Sequence, residues 1–78
     1  MQKLRIQLNA DRRNINYARD NHVSADMVSR IVVNSALRLI EAIDAHDPDL
    51  SDDAEANLRW AVRVYREKSL PPGHPAGG

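Results

Sequence analysis

Residues 3–8 alternate between polar and apolar side chains: Lys3, Leu4, Arg5, Ile6, Gln7 and Leu8. A period of two is typical of a β-strand with one buried face. Because no second strand is indicated further along the chain, the N–H and C=O groups of this strand need partners elsewhere. We therefore predict that it pairs with the same strand of a second copy about a two-fold axis. An extended N-terminal tail is the alternative.

Two helices are predicted after the strand, the first over about residues 10–21. Ser24 is a strong N-cap for the second, because Asp26 lies in its first turn and Val23 and Val28 are spaced as a hydrophobic staple. The second helix is apolar around well over half of its circumference, through Met27, Val28, Ile31, Val32, Val33, Ala36, Leu37, Leu39, Ile40, Ala42 and Ile43. A helix of this kind is buried on several sides, which in a short chain implies a partner chain.

A third helix is predicted after the helix-breaking sequence Asp47-Pro48-Asp49, with Ser51 as its N-cap. Its apolar stripe consists of Ala54, Leu58, Ala61, Val62 and Tyr65. Residues 69–78 are rich in Pro and Gly, which predicts a disordered tail.

Composition narrows the class of protein. The chain has 78 residues, no Cys, no Phe and one Trp. It is therefore one small domain, and neither a disulfide-stapled scaffold nor a thiolate metal site. Because a domain of this size buries a modest share of its surface, we expect oligomerisation to add stability.

Charge is distributed unevenly along a chain whose net charge is zero. Residues 1–40 contain seven Lys and Arg against three Asp and Glu, whereas residues 41–78 contain four against eight. This asymmetry indicates a basic binding surface beside an acidic segment. The N-terminus does not resemble a signal peptide and no apolar run is long enough to span a bilayer, so we expect a cytoplasmic protein without a membrane partner.

Catalytic chemistry is not indicated by the sequence. His22, His46 and His74 do not have the spacing of metal ligands, and the acidic residues around position 47 lack the glycine and ligand order of a calcium loop. No Gly-rich phosphate loop is present. We therefore expect no enzyme activity, no catalytic residues, no cofactor and no metal.

The order of these elements resembles the ribbon-helix-helix family of the Arc and MetJ type. The resemblance is carried by the alternating strand, a first helix, the turn at residues 21–24, and residues 23–28 leading to Ala-Leu-Arg-Leu at 36–39. It covers about residues 2–44. The stretch 23–42 is also similar to the amino-terminal domain of the relaxosome protein TraM.

This resemblance implies a mainly α fold in which one N-terminal strand pairs between two chains and a C-terminal helix is added. The outward strand residues Lys3, Arg5 and Gln7 would read bases in the major groove of double-stranded DNA. The amides of Ser24 and Ala25 would bind a phosphate. The dimer core would consist of Leu4, Ile6, Leu8, Val28, Ile31, Val32 and Leu39.

We accordingly divide the chain into a DNA-binding and dimerisation domain at residues 1–46, a C-terminal helix at 47–68 and the tail. The C-terminal helix either packs on its own dimer or binds a protein partner, such as a toxin or a relaxosome component. The residues available for such a partner are Leu58, Trp60, Val62 and Tyr65.

The predicted function is sequence-specific DNA binding by a homodimer, or by a tetramer on DNA, as a transcriptional repressor or an antitoxin-type autoregulator. One alternative is a relaxosome accessory protein of a mobile element such as a plasmid. The other is a helical protein–protein interaction module that does not bind DNA.

Overall fold

Three α-helices form the structure, a computed structural model that describes residues 3–69. Helix α1 spans Lys3–Asp20, α2 spans Ala25–Asp44 and α3 spans Pro48–Ser69. Because these residues form three helices and contain no strand, the predicted ribbon-helix-helix fold is wrong. Apart from Ser69, which ends α3, the predicted tail at 69–78 lies outside the described residues.

The predicted strand is instead the first two turns of α1. Leu8, Ile15 and Ala18 are buried on one face of this helix, and Leu4 packs beside Leu8. These positions follow the spacing of three, four and seven residues that defines a helix face. Ile6 breaks that spacing and is 58% exposed. Leu4 and Leu8 fit both a period of two and a helical period, and the continuation through residue 18 is helical.

The start of α2 agrees with the prediction. Ser24 has an extended backbone and its Oγ accepts a hydrogen bond from the Met27 N–H at 3.1 Å. Val23 packs against the core cluster that contains Val28, as a hydrophobic staple requires. The cap therefore fixes the position at which the chain turns from α1 into α2.

The turn between α2 and α3 combines a helix C-cap with a helix N-cap. The His46 N–H donates to the Ile43 carbonyl at 3.0 Å and the Asp47 N–H donates to the Ala42 carbonyl at 3.3 Å, which is a Schellman arrangement. His46 takes the left-handed position, with a φ of 56°.

Helix α3 begins four residues earlier than the Ser51 cap predicts. The Oδ1 of Asp47 accepts from the Leu50 N–H at 3.1 Å, and Pro48 occupies the first helical position, where its missing N–H costs nothing. Asp47, rather than Ser51, is therefore the N-cap of α3.

The core consists of two clusters of buried apolar side chains, several of which are alanine. One contains Ile15, Ala18, Val28, Ile31, Ala61 and Val64, and the other contains Leu8, Ala42, Leu50 and Ala54. Ser35 is also fully buried, and its hydroxyl donates to the Ile31 carbonyl at 2.8 Å. Alanine contributes little apolar area, so the interior supplies a modest hydrophobic stabilisation.

Candidate interaction surface

Helix α2 carries a second apolar stripe that the core does not use. Val33, Leu37, Ile40 and Ile43 are each between 49% and 57% exposed. With Ala36 they are separated by three or four residues, which places them on one face of the helix. Positions 33, 36, 40 and 43 also follow the a/d spacing of two heptads, the pattern of a helix that packs against another helix.

This stripe lies on the side of α2 that is remote from α1. Helix α1 meets α2 through an ion pair between Asp11 and Arg38, whose Oδ2 and Nε atoms are 3.2 Å apart. Ala36 and Ile40 are each two residues from Arg38, and two residues of an α-helix correspond to a rotation of about 200°. Their side chains therefore lie on nearly the opposite side of the helix from α1.

Helix α3 extends the apolar surface. It meets α1 through Asp53 and Asn57, which accept hydrogen bonds from Arg5 and Arg12. Leu58 and Val62 are half-buried and are rotated by about 100° and 140° around α3 from Asn57, away from that contact. We call the combined surface the α2–α3 face; it consists of Val33, Ala36, Leu37, Ile40, Ile43, Leu58, Val62 and Tyr65.

The area of this face is large for a small protein. Val33, Leu37, Ile40, Ile43 and Tyr65 each expose between 39% and 57% of their surface. Together they present roughly 500 Å² of mostly apolar surface, near the upper end of the range for the largest patch on a monomer. The largest apolar patch on a monomer is often functional.

Charges border the face at both ends of α2. Asp26 and Arg30 lie near its N-terminus, where they form a loose pair at 3.8 Å with both side chains at least four-fifths exposed. Glu41 and Asp44 lie near its C-terminus. Because such exposed pairs contribute little, Arg30 can form a second pair at small cost.

Several arginines of the basic N-terminal half are engaged within the chain. Arg5 forms an ion pair with Asp53, Arg19 pairs with Asp20 at 2.8 Å, and Arg38 pairs with Asp11. These pairs reduce the positive surface that the sequence predicts for residues 1–40.

The pair between Asp11 and Arg38 is the most buried of these ion pairs. Burial raises the pKa of the Asp11 carboxyl above its ordinary value of 3.8, and Glu41 adds to that rise. The charge and the hydrogen bond of Arg38 act in the opposite direction. Desolvation is the largest cause, so the fold favours the protonated carboxyl relative to the unfolded chain.

The residues predicted to read bases lie on α1 rather than on a ribbon. Arg5 is paired with Asp53, Lys3 is exposed and Gln7 is half-buried. Since a helix does not present alternate residues on one side, these three do not form a common face. Ser24 and Ala25, the predicted phosphate contacts, are exposed at the start of α2.

Most of the predicted dimer-core residues lie in the interior of a single chain. Leu8, Val28 and Ile31 are buried there, and Leu4, Val32 and Leu39 pack partly buried against them. Ile6 is the exception, since it is exposed on α1. The apolar residues of α2 that remain exposed lie on the opposite side of that helix. The sequence indicated them because α2 has more apolar positions than one buried face requires.

The four predicted partner-binding residues of α3 divide between two surfaces. Leu58, Val62 and Tyr65 belong to the α2–α3 face. Trp60 is exposed on the side of α1, where the guanidinium of Arg19 lies 5.3 Å from the centre of its ring. A single partner surface along α3 would therefore include three of the four residues.

Among residues 3–69, no group of His, Cys, Asp and Glu side chains is placed to hold a metal ion. None of the three described helices is long and apolar enough to cross a bilayer. No family model, curated protein or solved structure matches the chain. The function is therefore inferred from the geometry of the chain alone.

Proposed function

We propose that the chain is a protein–protein interaction module that pairs with a second copy of itself through the α2–α3 face. The observation that carries this proposal is the stripe of Val33, Leu37, Ile40 and Ile43, whose large aliphatic side chains are about half exposed. Burying them between two copies removes apolar surface from water, which is the dominant favourable term in association.

A second copy fits this face because the stripe is suited to two-fold symmetry. Antiparallel packing of two α2 helices, centred between Ala36 and Leu37, places Ile40 of one copy opposite Val33 of the other. The same register brings Arg30 of each copy beside Asp44 of the other, so an ion pair can form on each side of the axis. Two-fold pairing of one surface with itself is the commonest symmetry among soluble oligomers.

The small core also favours self-association. Four of the ten buried hydrophobic residues in the described part of the chain are alanine, namely Ala18, Ala42, Ala54 and Ala61. A stable interface buries about 800 Å² from each partner, and the apolar part of the α2–α3 face, roughly 500 Å², supplies more than half of that area. Pairing therefore supplies apolar burial that the interior of one chain lacks.

The first test compares two glutamate variants at isoleucines of similar exposure. Ile40 lies on the α2–α3 face and Ile6 lies on α1, and the two are 55% and 58% exposed. We expect Ile40→Glu to raise the dimer dissociation constant at least about 100-fold, because it buries a charge in the interface opposite Val33 of the second copy. Ile6→Glu should leave that constant unchanged.

Sedimentation equilibrium over a concentration series measures both constants, and circular dichroism verifies that each variant is helical. A wild-type chain that stays monomeric at every concentration contradicts the proposal. So does equal weakening of the dimer by the two variants.

DNA binding and the repressor, antitoxin and relaxosome roles stay predictions of the sequence. The groove-inserting ribbon on which they depended is not formed by residues 3–8, which are helical. A cytoplasmic location belongs to the present proposal, and fractionation of expressing cells tests it.

A further inference from the structure

A groove of about 400 Å³ lies between α1 and α3, on a different side of the bundle from the α2–α3 face. Its lining residues are Arg12, Ile15, Asn16, Ala56, Asn57 and Trp60. Ile15 is 1% exposed and provides an apolar floor, while Asn57 is 3% exposed. Its volume lies within the usual range for small-molecule sites.

The guanidinium of Arg12 is held in place by a buried amide. Its Nε donates to Asn57 Oδ1 at 3.2 Å, and the Nδ2 of Asn57 donates to the Leu8 carbonyl at 3.0 Å. Among residues 3–69, the side chain of Arg12 makes no hydrogen bond other than the one from Nε to Asn57. Its two Nη groups are therefore available to an acceptor in the groove.

The indole of Trp60 is partly covered by a second arginine. Arg19 lies over its ring, and the guanidinium of Arg19 is fixed by hydrogen bonds from Nε and Nη2 to the two carboxylate oxygens of Asp20, at 2.8 and 3.1 Å. The hydrogen bond from Arg19 holds the pKa of Asp20 below its ordinary value. Arg19 thus covers part of the indole and leaves the remainder to line the groove.

We propose that this groove binds a small aromatic carboxylate. The carboxylate accepts two parallel hydrogen bonds from the Nη groups of Arg12, the pairing for which a guanidinium is suited. The ring contacts Ile15, Ala56 and Trp60. Because the six lining residues include one cation and no carboxylate, the electrostatic environment favours an anion over its neutral counterpart.

Benzoate and benzamide test the proposal, because they have nearly the same shape and differ in charge. The chain contains one tryptophan, so its indole N–H gives one signal in a proton–nitrogen NMR spectrum of the full chain. We expect benzoate to shift this signal saturably, with a Kd on the order of 1 mM. Benzamide should bind at least about tenfold more weakly.

Variants of two neighbouring arginines assign the contact. Arg12→Gln should weaken benzoate binding at least about tenfold, and Arg13→Gln, on the adjacent exposed position, should leave it unchanged. Arg12→Lys retains the charge and should keep a preference for benzoate over benzamide, which covers the case in which Arg12→Gln is unfolded. Equal affinity of the wild-type chain for the two ligands overturns the proposal, as do equal effects of Arg12→Gln and Arg13→Gln.

Discussion

At the scale of single residues, the fold depends on a few polar side chains placed where apolar ones would be expected. Asn57 is buried on α3, where it accepts a hydrogen bond from Arg12 and donates one to the Leu8 carbonyl. Asp11 performs a similar role between α1 and α2 through Arg38. Such groups fix how the helices pack against one another. Asp11 also makes the free energy of unfolding depend on pH.

Asp11→Asn should remove one pH-dependent contribution to stability. Because the pKa of Asp11 is raised in the fold, its contribution is fully present below the ordinary value of 3.8 and is lost as the pH rises through the folded pKa. The unfolding free energy of the wild type should therefore fall relative to that of Asp11→Asn as the pH rises across this window. Urea unfolding at a series of pH values measures the difference.

Asp20→Asn is the matched control, because the pKa of Asp20 is lowered and the sign reverses. Relative to this variant, the wild type should have its full extra stability above pH 3.8 and should lose it as the pH falls through the lowered folded pKa. The two quantities to compare are the differences in unfolding free energy between the wild type and each variant. If both differences change with pH in the same direction, burial is not the dominant effect on the pKa of Asp11.

At the scale of the elements, local signals predicted the turn into α2 and missed the extent of α1. The Ser24 cap depends on residues within one helical turn of it, so the sequence was sufficient to find it. The alternation at residues 3–8 was too short to separate a strand from a helix. The helix forms because it places Leu8, Ile15 and Ala18 on one face, and that face is buried against α2 and α3.

Loss of the Ser24 cap should be measurable against a second serine in the same helix. Ser24→Ala removes the acceptor of the Met27 N–H and should lower the unfolding free energy by about 1 kcal/mol. Ser29 is exposed within α2, and Ser29→Ala should leave stability unchanged or raise it slightly, because alanine favours helix. Denaturant unfolding of the two variants gives both values, and equal values would show that the cap contributes nothing.

At the scale of the whole molecule, the surplus of apolar residues on α2 is the feature that connects sequence to function. The sequence showed that this helix needs to be buried on several sides. It did not show which stripe of α2 would remain exposed, because that depends on which sides of α2 are covered by α1 and α3. Asp11 and Arg38 mark the side covered by α1, and Val33, Leu37, Ile40 and Ile43 lie away from it.

The most direct test is an isotope-filtered NOE experiment on a mixture of labelled and unlabelled chains, since it detects contacts between two copies alone. Self-pairing through the α2–α3 face predicts intermolecular NOEs among the methyl groups of Val33, Leu37, Ile40 and Ile43, including one between Ile40 and Val33. A dimer whose intermolecular NOEs come from Ile6 instead, or a sample that gives none, would contradict it.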